Sequence, residues 1–207
     1  MPKPDLEGAY ALKTTDDARR LYAGWAETYD SDFAAANDFV LPGVVARAFA
    51  ARGGTGPVLD FGCGTGLAGV GLAAQGISPV DGADLSPEML AIAGAKGAYR
   101  SLIEGDVLAG YDPPHGLYAG LVSSGTFTHG HVGPDALGKL LPLTAPGALF
   151  VLSINTQHYH DAGFADAFAA LKPAITEVEL ITERNYGPKA TGSHKDDTCQ
   201  LAIFHKR

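Results

Sequence analysis

Residues 58–69 read VLDFGCGTGLAG, an apolar run that reaches an acid and then closely spaced glycines. Two glycine motifs overlap in this stretch. From Gly62 the glycines read G-x-G-x-G after Asp60, whereas from Gly64 they read G-x-G-x-x-G, the spacing associated with dinucleotide binding. Glycines after a strand allow the backbone to approach a ligand closely. The stretch therefore predicts a strand, a ligand-binding turn and a helix, and leaves the identity of the ligand open.

The composition suits one globular domain. Of the 207 residues, 46% are hydrophobic and 18% are charged, which is ordinary for a soluble protein. The formal net charge of −8 argues against a nucleic-acid partner, because phosphate binding needs clustered Lys and Arg. The apolar runs are far shorter than the ~20 residues that cross a bilayer, and the first ten residues lack the apolar core of a secretion signal. We therefore expect no membrane partner, and we expect Cys63 and Cys199 to be free thiols in a cytoplasmic protein.

Strand and helix patterns alternate along most of the chain. Strands are predicted at 57–61, 80–84, 99–104, 117–123 and 148–154, with helices at 67–75, 86–97 and 134–141 between them. This alternation indicates βαβ units and a parallel sheet. A helix at 162–171 is followed by strands at 177–186 and 198–206, which we expect to pair antiparallel at one edge. The expected fold is a Rossmann-like, doubly wound α/β sheet of seven strands.

The N-terminal region is predicted to be helical. Residues 14–30 place Ala18, Leu21, Tyr22, Trp25 and Tyr29 on one helix face, and Thr14-x-x-Asp17 resembles a capping box. A second helix is predicted from Pro42 to Gly53.

Two acids help to choose between the two glycine motifs. Asp84 follows Gly64 by twenty residues, the distance expected for an acid that holds a ribose diol, but any adenosine ligand offers that diol. Asp60 is more selective because it lies at the strand end before the first glycine. A carboxylate there would repel a pyrophosphate and would suit a ligand with a positive amine beside its adenosine, such as S-adenosylmethionine.

Five motifs in the order expected for one family resemble those of class I S-adenosylmethionine-dependent methyltransferases. They are VLDFGCGTG, VDGADLSPEML, IEGDV at 103–107, LVSSGTFTH at 121–129 and TAPGAL at 144–149. The N-terminal YAGWAETYDSDF, residues 22–33, resembles the cofactor-covering helix of small members, including those of the ubiquinone pathway and the Williams–Beuren region. Two positions depart from the family pattern: Tyr118 is followed by Ala119-Gly120 where an acid is usual, and Ala145 stands where lysine is common.

The resemblance implies one methyltransferase domain over 1–207, with covering helices at 1–53 and a Rossmann-like core at 54–207. It implies S-adenosylmethionine as cofactor and a small-molecule acceptor. Asp60 and the glycine loop would hold the methionine end, Asp84 the ribose, and Asp106 with Val107 the adenine. The full predicted cofactor set is Tyr22, Trp25, Tyr29, Asp60, Gly62, Cys63, Gly64, Gly66, Asp84, Leu85, Ser86, Met89, Asp106, Val107, Ser123 and Ser124.

Histidines after the fourth strand are candidates for proton transfer. His129 is the predicted catalytic base, with His131 two residues later, and His158 with His160 forms a second H-x-H. No suitably spaced Cys or acid completes a metal site, so no metal is expected.

Other functions remain open on sequence alone. A non-catalytic S-adenosylmethionine-binding protein would keep the pocket without turnover, and an NAD(P)-dependent reductase would use the Gly64 motif. An aminopropyl transferase is a weaker alternative, since acids for a polyamine are not evident near the fourth strand.

Overall fold

Alternating strands and helices make up most of residues 15–207, the part of the chain that the computed structural model describes. The strands are β1 (Val58–Phe61), β2 (Val80–Asp84), β3 (Ser101–Glu104), β4 (Tyr118–Phe127), β5 (Thr144–Asn155), β6 (Glu179–Arg184) and β7 (Thr198–His205). The helices are α1 (Thr15–Thr28), α2 (Leu41–Ala51), α3 (Leu67–Ala74), α4 (Pro87–Ala95), α5 (Asp135–Leu140), α6 (Thr156–Asp161) and α7 (Phe164–Leu171). A π-helix, Tyr29–Ala35, continues α1, and short 3-10 turns occupy Val107–Ala109 and Leu141–Leu143.

The strands form one sheet in the order β3-β2-β1-β4-β5-β7-β6. β1 to β5 run parallel, and β7 pairs antiparallel with both β5 and β6. The predicted seven-stranded, mostly parallel fold is confirmed, including its antiparallel edge pair. Chain order reverses direction between β1 and β4, and ligands of open α/β sheets bind at such a point, outside the carboxyl ends of the strands.

Neighbouring residues of the central strands pack on opposite sheet faces, as the pleat requires. On one face, Val58, Val122 and Val151 pack with Phe49 of α2 and Leu72 of α3. On the other face, strand residues pack with apolar side chains of α5 and α7: Leu59, Leu121, Phe150 and Leu152 with Leu137, Leu140, Phe164 and Phe168. Helices therefore cover both faces, and the uncovered carboxyl edge is left for a ligand.

Most predicted elements are confirmed; the main differences are the extents of β4 and β5 and one helix that was not predicted. β4 continues to Phe127, beyond the predicted end at Ser123, through a register shift in which the Gly125 amide donates to Ser153 Oγ at 3.0 Å. β5 begins at Thr144 instead of residue 148. Helix α6 was not predicted, because its sequence TQHYHD has no apolar period; the Asn155 side chain caps it by accepting from the His158 amide.

The predicted helix starts are partly observed. Ser86 caps α4, since its Oγ accepts a hydrogen bond from the Met89 amide at 3.2 Å. The predicted capping box at Thr14 lies outside the described residues. Within residues 15–207, no helix is long and apolar enough to cross a membrane.

Packing fixes one residue of the fourth strand, Gly120. A Cβ at Gly120 would lie 2.3 Å from Cζ of Phe49, a ring that is fully buried under the sheet. A larger side chain at this position would displace α2 from the sheet. The position of the Phe49 ring against β4 therefore requires glycine at 120.

We expect Gly120→Ala to lower the free energy of unfolding by about 1–3 kcal/mol, because the methyl group overpacks a full core. Urea unfolding followed by circular dichroism measures the change. Gly138→Ala is the matched control, since a Cβ at Gly138 meets nothing within 4 Å and alanine favours its helix. Equal loss of stability in both variants would contradict the packing argument.

Candidate active site

A cavity of about 560 Å³ lies at the carboxyl ends of β1, β2 and β4. Its wall combines the glycine loop after β1, the acid that ends β2, the turn after β3 and residues of α1. Thirteen of the sixteen residues in the predicted cofactor set line it: Tyr22, Tyr29, Asp60, Gly62, Cys63, Gly64, Asp84, Leu85, Ser86, Met89, Asp106, Val107 and Ser124. The fold thus brings residues from four separate sequence motifs to one cavity.

Three residues of the predicted set do not line this cavity. Trp25 is buried inside the N-terminal helices, with its ring 5.3 Å from the rings of Tyr29 and Phe33. Gly66 begins α3 beneath the loop, where a Cβ would meet the Tyr99 ring at 2.9 Å. Ser123 is fully buried and donates to the Phe61 carbonyl at 2.7 Å. Each of these residues packs behind residues that line the cavity and does not line it itself.

The glycine loop depends on positive backbone angles. Gly62, Gly64 and Gly66 have φ of +69°, +51° and +88°, a region that side chains with a Cβ adopt at a cost. At Gly62 space is also lacking, because a Cβ would lie 2.1 Å from Thr126 Oγ1. The loop therefore presents bare backbone to the cavity, with Thr126 of β4 packed directly against it.

Asp60 carries the most unusual electrostatics of the cavity wall. The residue is fully buried, Oδ2 accepts a hydrogen bond from the Tyr99 hydroxyl at 2.7 Å, and buried Oδ1 has no hydrogen-bond partner in the described part of the chain. Burial raises the pKa of Asp60 to about 7; the charge of Asp84 adds to this rise, and the Tyr99 hydrogen bond opposes it. A cationic partner would stabilise the ionised form of this carboxyl, because a nearby positive charge offsets the cost of desolvation.

Asp84 is held in place by backbone amides. Its two oxygens accept from Gly64 N at 2.9 Å and Ser86 N at 3.0 Å. Burial raises the pKa of Asp84, against the effect of these hydrogen bonds. Each carboxylate oxygen retains acceptor capacity beyond its one amide, so a diol could bind there without displacing the loop.

The turn after β3 forms a further wall. Asp106 Oδ1 accepts from the Leu108 amide at 2.9 Å and thereby caps a short 3-10 turn. Val107 is buried, and both residues line the cavity. An apolar surface beside a carboxylate suits a flat heterocycle that carries an amino group.

Comparisons with known proteins agree with this geometry. A family model described as a methyltransferase domain matches residues 34–187, which is most of the chain. The chain belongs to this methyltransferase family. Methyltransferase-like protein 27 from Homo sapiens is 30% identical over an alignment 165 residues long, and the match covers 73% of this chain and 63% of that protein. The chain thus spans less than two thirds of that relative's length.

Solved structures share the fold of this methyltransferase-family chain. A TehB-like SAM-dependent methyltransferase from Corynebacterium glutamicum has a TM-score of 0.63 at 21% identity, with 90% of this chain and 98% of that chain covered. The N-methyltransferase NodS from Bradyrhizobium japonicum, solved with S-adenosyl-L-homocysteine, has a TM-score of 0.59 at 19% identity. That match covers 79% of this chain and 85% of NodS.

In the methyltransferase-family chain, α1 and the π-helix form a covering segment (residues 15–35) that is tied to the glycine loop. Asp30 of the π-helix accepts from Thr65 Oγ1 at 2.6 Å and pairs with Lys96 Nζ at 2.5 Å. Lys96 also donates to the Thr65 carbonyl. Arg19 of α1 donates to the Leu85 carbonyl at 3.2 Å. The covering segment is therefore anchored at both the first and second motifs.

The histidines do not lie where the sequence hypothesis needed them. His129, the predicted base, does not line the cavity; its side chain is partly exposed, with Nε2 3.5 Å from Asp161 Oδ2. The reversal at 128–131 turns His129 outward and His131 inward, so that His131 lines the cavity instead. His158 bonds the Val132 carbonyl at 3.0 Å. Among the described residues, no cluster of three or more His, Cys, Asp or Glu could hold a metal.

Among the contributors to the cavity, Tyr99 and Thr126 were missed at the sequence level, and His131 was named only as the neighbour of the predicted base. Tyr99 holds Asp60, Thr126 packs on Gly62, and His131 faces the cavity. Tyr99 lies thirty-nine residues from Asp60, and no local pattern connects them. For His131 the H-x-H pattern was a signal, but only the turn geometry decides which histidine faces inward.

Proposed function

We propose that this protein transfers the methyl group of S-adenosylmethionine to a small-molecule acceptor. The observation that carries the proposal is the buried Asp60 carboxyl, which stands at the mouth of the glycine loop with one oxygen unpartnered. S-adenosylmethionine brings an ammonium group to this place, next to an adenosine that needs the acids at 84 and 106.

The residues of the cavity fit this cofactor. Asp60 and the bare backbone at Gly62 and Gly64 would hold the methionine end, where an unpartnered carboxylate oxygen lies beside loop glycines that line the cavity. Asp84 would hold the ribose diol, and Asp106 with Val107 would hold the adenine. When bound, the sulfonium of the cofactor supplies an electrophilic methyl group.

The same carboxyl argues against a dinucleotide. A pyrophosphate above the glycine loop would bring negative charge to two buried acids, Asp60 and Asp84, and the charge of Asp84 already raises the pKa of Asp60. Arg19 and Lys139 line the cavity, but Arg19 belongs to α1 and Lys139 to α5, not to the loop. A nicotinamide reductase is therefore disfavoured.

In the proposed reaction the chain orients reactants and excludes water. Residues 15–53 act as covering helices on the core at 54–207, and the bond from Thr65 to Asp30 joins the two parts at 2.6 Å. The size of the cavity, about 560 Å³, together with a net charge of −8, favours a small acceptor over a nucleic acid. The free thiols Cys63 and Cys199 are consistent with action in the cytoplasm.

A thermal-shift comparison of S-adenosylhomocysteine with NADH tests the cofactor. At about 100 times its Kd a ligand adds about 2.7 kcal/mol to stability, so S-adenosylhomocysteine is expected to raise Tm clearly and NADH not at all. A shift with NADH alone would refute the proposal. Binding without release of S-adenosylhomocysteine across a broad acceptor panel would instead identify a non-catalytic binding protein.

We expect Asp84→Ala to weaken S-adenosylhomocysteine binding by about 1.5–3 kcal/mol, which is about 10- to 150-fold, through loss of charged hydrogen bonds. Isothermal titration calorimetry measures this change. Glu104→Ala is the control, because Glu104 ends the neighbouring strand in register with Asp84, is exposed and does not line the cavity. Unchanged affinity in Asp84→Ala would remove its ribose role.

A further inference from the structure

A second, smaller cavity of about 60 Å³ lies beside the first, between the covering segment and the ends of β4 and β5. Its walls include the rings of seven Phe, Tyr and Trp residues: Tyr22, Trp25, Tyr29, Phe33, Phe39, Phe127 and Tyr186. Within residues 15–207, no acid lines it, and Thr128 Oγ1 and Asn185 Oδ1 in its wall are buried without hydrogen-bond partners. We call this space the aromatic chamber. Its volume is too small for a whole aromatic ring, but its surface suits part of an uncharged, flat group that extends into it from the main cavity.

The aromatic chamber and the main cavity share part of their walls. Tyr22, Tyr29, Phe39, Gly125 and His131 line both spaces. Two of these five, Tyr22 and His131, are joined at 2.9 Å from hydroxyl to Nε2. A hydrogen-bonded pair with proton-transfer chemistry therefore lies on the boundary between the proposed cofactor cavity and the aromatic chamber.

Hydrogen bonds fix the protonation pattern of this pair. His131 Nδ1 lies 3.0 Å from the His129 carbonyl, an oxygen that only accepts, so Nδ1 carries the proton. In a neutral ring Nε2 is then the acceptor and the Tyr22 hydroxyl is its donor. The basic nitrogen of His131 is thus directed at Tyr22.

Burial keeps the His131 ring neutral. It lowers the pKa of His131; the charge of His158 lowers it further, while the bond to the His129 carbonyl opposes both effects. The groups that face the ring are the Tyr22 hydroxyl from α1, His158 from α6 and the His129 carbonyl of its own turn. A neutral imidazole is the form that takes up a proton.

We propose that the acceptor binds where the main cavity meets the aromatic chamber, that the acceptor is an uncharged aromatic compound with a hydroxyl or amino group, and that His131 takes its proton through Tyr22. This inference rests on the proposed function and names its substrate class. An aromatic hydroxyl is the better fit of the two groups, because it must lose a proton to become a strong nucleophile at neutral pH.

The proton and the bonds balance as follows for a hydroxyl. The acceptor's O–H bond breaks as its proton moves to the Tyr22 oxygen, while the Tyr22 proton moves to Nε2 of His131. The acceptor oxygen gains the methyl group, and the electron pair of the broken S–C bond stays on sulfur. The products are a methyl ether, S-adenosylhomocysteine and a protonated His131, which returns its proton to solvent.

Four small probes test the chamber without knowledge of the natural acceptor. Phenol and aniline carry an uncharged donor on a ring, toluene has the ring alone, and benzoate carries a negative charge. Protein with ¹⁵N-labelled histidine is saturated with S-adenosylhomocysteine, and long-range ¹H–¹⁵N spectra follow the His131 nitrogens, assigned from their loss in His131→Gln. We expect the Nδ1–H form at pH 7, and we expect phenol and aniline, but not toluene or benzoate, to shift the Nε2 signal.

Variants separate a proton-relay pair from simple wall residues. At saturating S-adenosylhomocysteine, Tyr22→Phe is expected to weaken phenol binding about fivefold, the loss of one hydrogen bond. His129→Gln is the matched control, since His129 does not line either cavity, and it should leave the phenol response unchanged. A phenol response above that of aniline assigns the hydroxyl class, and the reverse order assigns the amine class.

The proposal is overturned if His131 is doubly protonated at pH 7, if toluene shifts Nε2 as much as phenol does, or if no probe shifts it, as when the chamber holds only ordered water. These results differ from failure of the proposed function, which would appear earlier, as no thermal shift with S-adenosylhomocysteine.

Discussion

The affinity of the wild-type chain for S-adenosylhomocysteine is expected to rise about tenfold between pH 5.5 and 6.5 and to level off above about pH 7.5. The pKa of Asp60 is raised to about 7, chiefly by burial, so below pH 7 the unliganded protein holds this carboxyl protonated. The ligand's ammonium favours the ionised carboxylate, so binding releases a proton. Each pH unit below the pKa then costs about a factor of ten in affinity.

Asp60→Asn is expected to bind about 10- to 100-fold more weakly at pH 8 and to lose this part of the pH dependence. Its unliganded form should nonetheless be more stable than wild type at pH 8. A carboxyl group whose pKa is higher in the folded than in the unfolded state contributes its full stability at a pH below the unfolded pKa. That contribution is lost as the pH rises through the folded pKa of about 7. Calorimetry for binding and urea unfolding for stability should therefore change in opposite directions.

Asp81→Asn is the control for Asp60→Asn. Asp81 is equally buried and lies near the other end of β2, where Arg100 bonds both of its oxygens, the shorter at 2.6 Å. It does not line the cavity, so affinity and its pH profile should match wild type. The pKa of Asp84 is raised in the same direction as that of Asp60. The dependence of affinity on pH that remains in Asp60→Asn therefore measures the contribution of Asp84. A full slope in that variant would contradict the role of Asp60.

Gly62→Ala is expected to lower the free energy of unfolding by about 2–5 kcal/mol. Of this, about 1–2 kcal/mol comes from the φ of +69° and about 1–3 kcal/mol from contact with Thr126. Gly64→Ala isolates the first part, because its φ is +51° and a Cβ there meets nothing within 4 Å. Urea unfolding of the two variants measures the difference.

The double variant Gly62→Ala/Thr126→Ala completes this test. Removing the Thr126 hydroxyl and methyl frees the space that the new Cβ needs, so part of the lost stability should return relative to Thr126→Ala alone. If Gly62→Ala and Gly64→Ala are equally destabilised, the close approach of Thr126 to the loop is not a constraint.

Local sequence patterns predicted the strands and the functional residues at their ends well, because these patterns encode backbone requirements. Val80–Asp84 was predicted to the residue, and the cap at Ser86 was recognised from Ser-Pro-Glu. Positive φ at Gly62 and Gly64 follows from glycine after a strand. Helix α6 was missed because polar residues without an apolar period give no signal over six residues.

The family resemblance located the cavity wall, but it could not separate wall residues from those behind the wall. Ser123 and Ser124 are adjacent, yet the pleat of β4 buries Ser123 against Phe61 and leaves only Ser124 at the cavity. In the same way, one turn decides that His131 faces the cavity and His129 does not.

The sequence by itself determined the α/β order, the glycine loop and the acids at 60, 84 and 106, because turns, caps and strand ends depend on neighbouring residues. The tertiary structure alone decided the raised pKa of Asp60 and the orientation of the His131 side chain. Burial and contacts with residues far along the chain, Tyr99 for the first and Tyr22 for the second, set those properties. Such contacts depend on how the elements pack, and short-range patterns carry no record of them.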